Sequence, residues 1–433
     1  MARTLRTAVV ERPVWRRGGL RVEGPDEDVF TLAVSALERL QRQDGFHGPF
    51  ARVHLVGTSG PDVAPAIGEA MGEPALEVRR AHGGATEVYA ALSTATGSGA
   101  SEGPEAVVVV DTASRSTGED GDAGHGAGAV AFGIAEGPGI LLGSHGERHH
   151  PAERRPDATA WVRTVRRGIP TGAAPKGALL VRARIAPPVL LAFWTRELPE
   201  MTLATAAPRD PSLGPAPHLG PALDILEAAR LELPGSTRVI STIEPTRTTY
   251  LGFHLDGAFP VVSPGPSATE PPTWAGRSDG DTALLACVSE GAYVPRPRYQ
   301  ESRASRWRFV AEQCPACGHR TFPARGVCRG CGRGEGLVPV ALPYDGGTVE
   351  ARTTVRPGAQ PTEFDPWVEA VGGYDVALVR LAPDVLATLA VTDAVAGSTP
   401  SGAKVRTRLR RLYPMEGEWR YGRKAIVEPP LSP

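Results

Sequence analysis

Along GPDEDVFTLAVSALERLQRQ (24–43), the apolar positions Val29, Leu32, Ala33, Ala36, Leu37 and Leu40 fall on one face of a helix. Pro25 suits a first helical turn, and Asp26, Glu27 and Asp28 are placed to offset the positive end of its dipole. ARVHLVGTSG (51–60) reads as a short strand ending in a turn, and GGATEVYAALSTATGSG (83–99) as a second helix. EAVVVVDTAS (105–114) is a continuous apolar run of the kind found in strands buried on both faces. GAGAVAFGIAEGPGILLGSH (126–145) predicts a hairpin turning at Glu136 to Gly139. Strands alternating with helices in this way indicate a layered α/β domain.

Residues 146–175 turn polar and rich in Arg and Pro, which predicts a connection between two halves. A second α/β stretch follows, with strand-like runs at 177–185, 237–244 and 282–294 and a helix-like run at 220–233. The Pro-rich segment 260–274 reads as a surface loop. Beyond it, RYQESRASRWRF predicts a short polar helix, and 346–357, 373–383, 386–395 and 403–414 read as strands of a small closed barrel.

Composition narrows the picture. The chain has 433 residues and a formal net charge of −1, so bulk electrostatics do not favour nucleic acid. No apolar run is long enough to span a bilayer, and the first residues lack the apolar core of a signal peptide. Four of the five cysteines, Cys314, Cys317, Cys328 and Cys331, lie in CPACGHRTFPARGVCRGCG (314–332); the fifth is Cys287. Two CxxC pairs offer four sulfurs to one tetrahedral ion, each pair followed by a glycine (Gly318, Gly332) where the backbone must turn. A closed four-sulfur zinc site leaves no open position for substrate, so its expected role is structural. A free thiol beside a thiolate site points to a reducing, cytoplasmic setting.

The order GPDEDVFTLAV, AHGGATEVYAAL, VVVVDTAS, GDAGHGAGAVAF resembles the N-terminal half of the thiolase superfamily, nearest to archaeal-type hydroxymethylglutaryl-CoA synthases and ketosynthase III enzymes. TALLACVSEGA resembles the last strand and turn of that family's second half. The resemblance implies a layered α/β fold of two similar halves, 1–150 and 151–292, that makes or breaks carbon–carbon bonds in acyl-CoA. It also implies a catalytic Cys opening the helix at 83–99; the matching position is Ala81, or His82 one residue on, and neither is a thiol. The family's Glu falls near Ser59, and its His is matched by His218 in PAPHLGPALDILEAARL, with His254 as another histidine of that half.

Residues 296–428 resemble the zinc-ribbon and OB-fold family associated with acyl-CoA enzymes, here a helix and rubredoxin-like ribbon at 296–340 and a barrel at 341–428. By that resemblance the region bridges partner subunits and shelters the pantetheine arm of an acyl-CoA. Arg406, Arg408 and Arg410 alternate along one strand, with Trp419 and Tyr421 close behind. They read as a solvated face, as a dock for CoA phosphates, or as a single-strand nucleic-acid surface, the last not favoured by net charge.

Together these readings predict a thiolase-like subunit without the usual Cys, bound to zinc and acyl-CoA. Its expected partners are a thiolase or synthase subunit with an intact Cys and an acyl-CoA or acyl carrier protein, in a homo- or heterodimer. The rival is a self-contained, Cys-independent acyl-CoA aldolase or acyltransferase, for which Tyr89, Tyr250 and Tyr293 are available.

Overall fold

The computed structural model describes residues 3–17, 20–57, 63–81, 84–97, 103–113, 126–149, 177–183, 201–205, 216–230, 237–243, 247–263, 294–343, 346–360, 364–415 and 418–428. Ser59, His82, Cys287, Tyr293, the run at 282–293 and most of the 260–274 loop lie outside these residues. The chain divides into two units: Met1–Arg12, Ala36–Pro65 and Ala75–Gly265, and then Pro13–Ser35, Ala66–Pro74 and Pro266–Pro433.

In chain order the strands are β1 (Arg3–Glu11), β2 (Arg16–Arg17), β3 (Leu20–Arg21), β4 (Arg52–Gly57), β5 (Glu77–Ala81), β6 (Glu105–Asp111), β7 (Gly128–Glu136), β8 (Gly139–His149), β9 (Gly177–Ala183), β10 (Met201–Thr205), β11 (Thr237–Ile243), β12 (Arg247–Asp256) and β13 (Val261–Val262). They continue as β14 (Val310–Gln313), β15 (Arg320–Thr321), β16 (Val338–Ala341), β17 (Gly347–Val355), β18 (Tyr374–Ala382), β19 (Val385–Ala390), β20 (Lys404–Met415) and β21 (Glu418–Val427). The helices are α1 (Val29–Leu40), α2 (Ala64–Met71), α3 (Ala85–Thr96), α4 (Leu219–Arg230), α5 (Arg296–Glu301), α6 (Arg303–Arg308) and α7 (Asp365–Val371). Among the described residues no helix is long and apolar enough to cross a membrane.

The first unit is built on one sheet with strand order β10-β9-β11-β12-β8-β1-β7-β6-β4-β5, and β13 pairs with β1. Its order repeats. Reading from either edge towards the middle, each half places its third, second, fourth, fifth and first strands in turn: β5-β4-β6-β7-β1 on one side, β10-β9-β11-β12-β8 on the other. In both halves the first three of these are parallel and the next is antiparallel. Both halves also follow their third strand with a helix, α3 after β5 and α4 after β10. The two similar halves expected from the sequence are thus present, meeting where Leu5 of β1 pairs with Ile140 of β8. All seven residues of β6 are buried, as its β-branched run predicts for a strand covered on both faces.

Three expectations change. The predicted hairpin is not one, because β1 inserts between β7 and β8, and Leu5 pairs with both Ile134 and Ile140. A tight turn looks the same in sequence whether its strands pair or embrace a third strand from elsewhere. Residues 146–149, read as connection, complete β8 against β12. The helix read over 24–43 is confined to α1, and Asp28 caps it: the Thr31 amide donates to Asp28 Oδ1 at 2.8 Å while the Asp28 amide donates to Thr31 Oγ1 at 2.8 Å.

In the second unit, β15-β14-β16 form a small sheet and β19-β18-β17-β20-β21 a five-stranded one. A parallel bridge between Val391 and Ala425 brings the far edges of the larger sheet together, with the Thr392 amide donating to the Ala425 carbonyl at 2.9 Å. Phe309 and Ala311, at the base of the ribbon, pack in the same core as Val349, Val379, Leu389 and Val405 of the larger sheet.

Gly133 of β7 faces the buried ring of Phe46; a Cβ there would lie 2.5 Å from the Phe46 ring. Gly133→Ala should therefore lower the urea midpoint, at a cost of about 1–3 kcal/mol. Adding Phe46→Leu should recover part of that loss, and an additive double variant would refute the contact.

Candidate active site and metal centre

Parallel α/β sheets gather functional groups beyond the carboxyl ends of their strands. At that end of β5, β4 and β6 lie Ala81, Gly57 and Asp111, with Ala81 in register beside Val56 and Gly57 beside Val110. Ala81 is half-buried against the core of the first unit. Ala81, expected from the sequence resemblance at a nucleophile's position, presents a methyl group.

Asp111 ends β6 with no exposed surface. Its Oδ1 lies 2.5 Å from His218 Nδ1. Its Oδ2 accepts the backbone amides of His218 and Leu219 at 3.0 and 2.8 Å. His218 sits immediately before α4, so one carboxylate both caps a helix of the second half and holds the imidazole beside it. His218 was legible in the sequence and Asp111 was not. The available signal was the lone acid that closes the VVVVD run.

The remaining candidates are dispersed. His254 is half-buried in β12, opposite Thr237. Tyr89 is fully buried in α3, and Tyr250 packs its ring against Gly146. A contact that sequence did not suggest joins Ser93 Oγ of α3 to His145 Nδ1 of β8 at 2.9 Å, where burial pulls the His145 pKa down. At the opposite end of β6, buried Glu105 meets His54 at 3.1 Å and both Arg3 and Arg52 at 3.5 Å, a structural ion cluster.

In the second unit, the four sulfurs of Cys314, Cys317, Cys328 and Cys331 all lie within 4.8 Å of one another. Cys314 to Cys331 is 3.6 Å and Cys317 to Cys328 is 3.5 Å. A tetrahedral zinc with bonds of about 2.3 Å needs sulfurs about 3.8 Å apart, so the donor set fits. Each pair closes a matching knuckle: Gly318 donates to the Cys314 carbonyl at 2.8 Å and Gly332 to that of Cys328 at 2.9 Å. Both glycines have φ near +75°, at 74° and 76°. The Cys317 amide, with that of Ala316 and the thiols of Cys331 and Cys317, lowers the Cys314 pKa to about 7.

The arginine stripe needs correction. Arg408 and Arg410 are each only 3 % exposed and share no open face. Arg410 pairs with Glu27 at 2.8 Å and Asp393 at 3.3 Å, and Arg406 with Glu428 at 3.1 Å. The two aromatics behind the stripe are engaged as well: the Tyr421 ring contacts Phe30 and Trp307, its hydroxyl donates to Asp28 at 2.8 Å, and Trp419 is covered by the Arg411 guanidinium. The acids of GPDED, read as dipole complements, are partners of Arg410, Arg411 and Lys424. Asp26 meets fully buried Lys424 at 2.9 Å, and Arg411 meets Asp28 at 2.8 Å. Lys424 also lies 3.4 Å from the centre of the Trp367 ring.

Charges so enclosed shift their proton affinities in opposite directions. Burial works against the Asp26 carboxylate, but Lys424 and Arg410 overcome it and hold its pKa below the ordinary range. For Glu27 burial wins, helped by the nearby carboxyls of Asp393 and Asp26, and its pKa rises to about 8 despite Arg410.

Residues 303–337 match the family model described as ChsH2, rubredoxin-like zinc ribbon domain. Comparison with curated proteins returns no match. Among solved structures, the chain is similar to an HMG-CoA synthase complexed with CoA, at 13 % identity and a TM-score of 0.42, over 59 % of this chain and 83 % of that one. It is similar to the HMG synthase of the curacin biosynthetic pathway in complex with holo donor-ACP, at 13 % identity and a TM-score of 0.42, over 59 % of this chain and 81 % of that one. A third is 3-oxoacyl-(acyl carrier protein) synthase III from Pseudomonas aeruginosa PAO1, at 15 % identity and a TM-score of 0.40, over 59 % of this chain and 99 % of that one.

Cys314→Ala should abolish stoichiometric zinc, measured by plasma emission on the purified protein, and lower the thermal midpoint. A loss of even about 2 kcal/mol corresponds to roughly 4–8 °C for a unit of this size. A variant that binds no zinc yet melts as the parent does would show that the metal is not structural. Glu27 yields a second prediction. The folded chain keeps its proton up to about pH 8, whereas an unfolded chain releases it near the ordinary 4.5. This contribution to stability is therefore complete below the ordinary value and is lost as pH rises through about 8. The slope reaches at most about 1.4 kcal/mol per pH unit for one proton. Urea midpoints measured between pH 5 and 8 should fall less steeply for Glu27→Gln than for the parent; an unchanged slope would assign the proton elsewhere.

Proposed function

We propose that this chain serves acyl-CoA chemistry as a thiolase-like subunit that lacks the usual nucleophilic Cys, working beside a thiolase or synthase subunit that has one. The observation that carries the reading is the distribution of thiols. The sheet end matched to the family's nucleophile ends in Ala81, while the four described cysteines converge on one closed metal site. The match of the ribbon to the ChsH2 description supports a place among acyl-CoA proteins. In this reading the ribbon and the five-stranded sheet, taken as an OB-fold, form the surface that meets the partner and the pantetheine arm, and a CoA or carrier-protein thioester is the ligand.

A second reading is favoured by the Asp111–His218 pair: the chain itself cleaves or forms a carbon–carbon bond in an acyl thioester by acid–base chemistry, without a thioester exchange.

Gentle purification of the tagged protein from its native cell, with mass spectrometry of co-purifying chains, separates the two. The expected result is a thiolase or synthase with an intact Cys at near-equal amount. Recovery of the chain alone, together with retro-aldol turnover of a 3-hydroxyacyl-CoA, would replace the first reading by the second.

A further inference from the structure

We infer that Asp111 is a positioning residue that holds His218 in the Nδ1–H tautomer and leaves its Nε2 as the proton acceptor of a general base acting on an acyl thioester. The inference deepens the second reading above and rests on it for the substrate alone; the tautomer can be measured without any substrate.

Capping α4 requires only one carboxylate oxygen, and Oδ2 already receives the amides of His218 and Leu219. The second oxygen is spent on the imidazole, at 2.5 Å from Nδ1. A buried carboxylate that already accepts two amides is acceptor-only when ionised, so the ring nitrogen facing it must carry the hydrogen. Nε2 is then the basic nitrogen, and among the described residues it has no hydrogen-bond partner. The pair also spans the duplication: Asp111 ends the fourth strand of the first half, and His218 precedes the helix after the third strand of the second. It lies at the carboxyl end of β6, the sheet end that Ala81 also occupies.

The step that this base supports is balanced with a 3-hydroxyacyl thioester. The hydroxyl proton moves to Nε2, and the oxygen pair forms a carbonyl as the bond between C2 and C3 breaks. The electrons of that bond pass to the thioester as an enolate. The imidazolium, charge-matched by Asp111, returns its proton to C2.

Asp111→Asn tests the inference. Two amides point at one side of the carboxyl group, so the Asn oxygen must face them and its NH2 must face Nδ1. The ring is thereby forced into the Nε2–H tautomer while α4 stays capped. Long-range proton–nitrogen NMR on histidine-labelled protein, with His218 assigned by the signal lost in His218→Gln, should show Nε2 unprotonated in the parent and Nδ1 unprotonated in the variant. The variant's thermal midpoint should stay near that of the parent, whereas Asp111→Ala should lower it. Turnover of 3-hydroxyacyl-CoA should fall about 100-fold or more in kcat for Asp111→Asn, with little change in KM. A parent already in the Nε2–H form, or a variant with the parent's tautomer, would overturn the inference. If the parent turns over no thioester, the second reading fails, and the NMR result alone decides whether Asp111 positions the ring.

Discussion

A carboxylate without solvent must find its hydrogen bonds inside the protein, and the first unit is organised around one that does. Asp111 is fully buried and accepts three donors, two from the backbone before α4 and one from a side chain. Leaving such a group unpaired would cost several kcal/mol, so strand end and helix start must arrive together. The constraint adds a polar tie between the two halves to the pairing of β1 with β8 and β13 and to the hydrophobic core that they share. Replacing the carboxylate with an apolar group would also strand two helix amides. Helix capping and imidazole orientation are therefore consequences of the same buried charge.

The second unit solves a larger version of this problem. Asp26, Glu27 and Asp393 are enclosed with Arg410 and Lys424, all five nearly or wholly without exposed surface. Removing Asp26 or Lys424 leaves its partner's charge with no solvent to receive it, which is far costlier than the small net gain such a pair contributes when complete. The arrangement fixes where residues 24–28 run, although the helix that follows them ends in the first unit. Thr392 adds a hydrogen bond to Asp26 at 2.8 Å, next to the bridge that brings the edges of the five-stranded sheet together. Charge satisfaction and sheet closure thus converge on one strand end.

What was legible in the sequence was local. Two CxxC pairs specify their own knuckles within a few residues, and the valine run of β6 specifies a strand covered on both faces whatever its neighbours are. The repeat of the two halves was accessible only through family resemblance, since their strand order is a property of long-range pairing. The hairpin failed for that reason: nothing near Glu136–Gly139 reports that β1, more than a hundred residues upstream, will lie between the strands. The arginine stripe failed differently. Alternation tells which side chains share a face, and it is silent on whether that face is open. Here GPDED supplies acids to Arg410, Arg411 and Lys424 from nearly four hundred residues away, and the charges were visible while their pairing was not.

The distribution of reactive groups limits what the described parts of the chain can do. A tetrahedral site with four thiolates is coordinatively complete, so zinc there stabilises a fold and activates no substrate. Tyr89 and Tyr250 are buried in the first unit, and Arg406, Arg410 and Arg411 of β20 are paired with carboxylates. What remains at the carboxyl end of the sheet is an imidazole whose second nitrogen is committed to a carboxylate. Such a pair moves protons and forms no acyl intermediate. Carbon–carbon chemistry at this pair would therefore proceed through an enolate, and acyl transfer would need a nucleophile that the described residues do not place beside it.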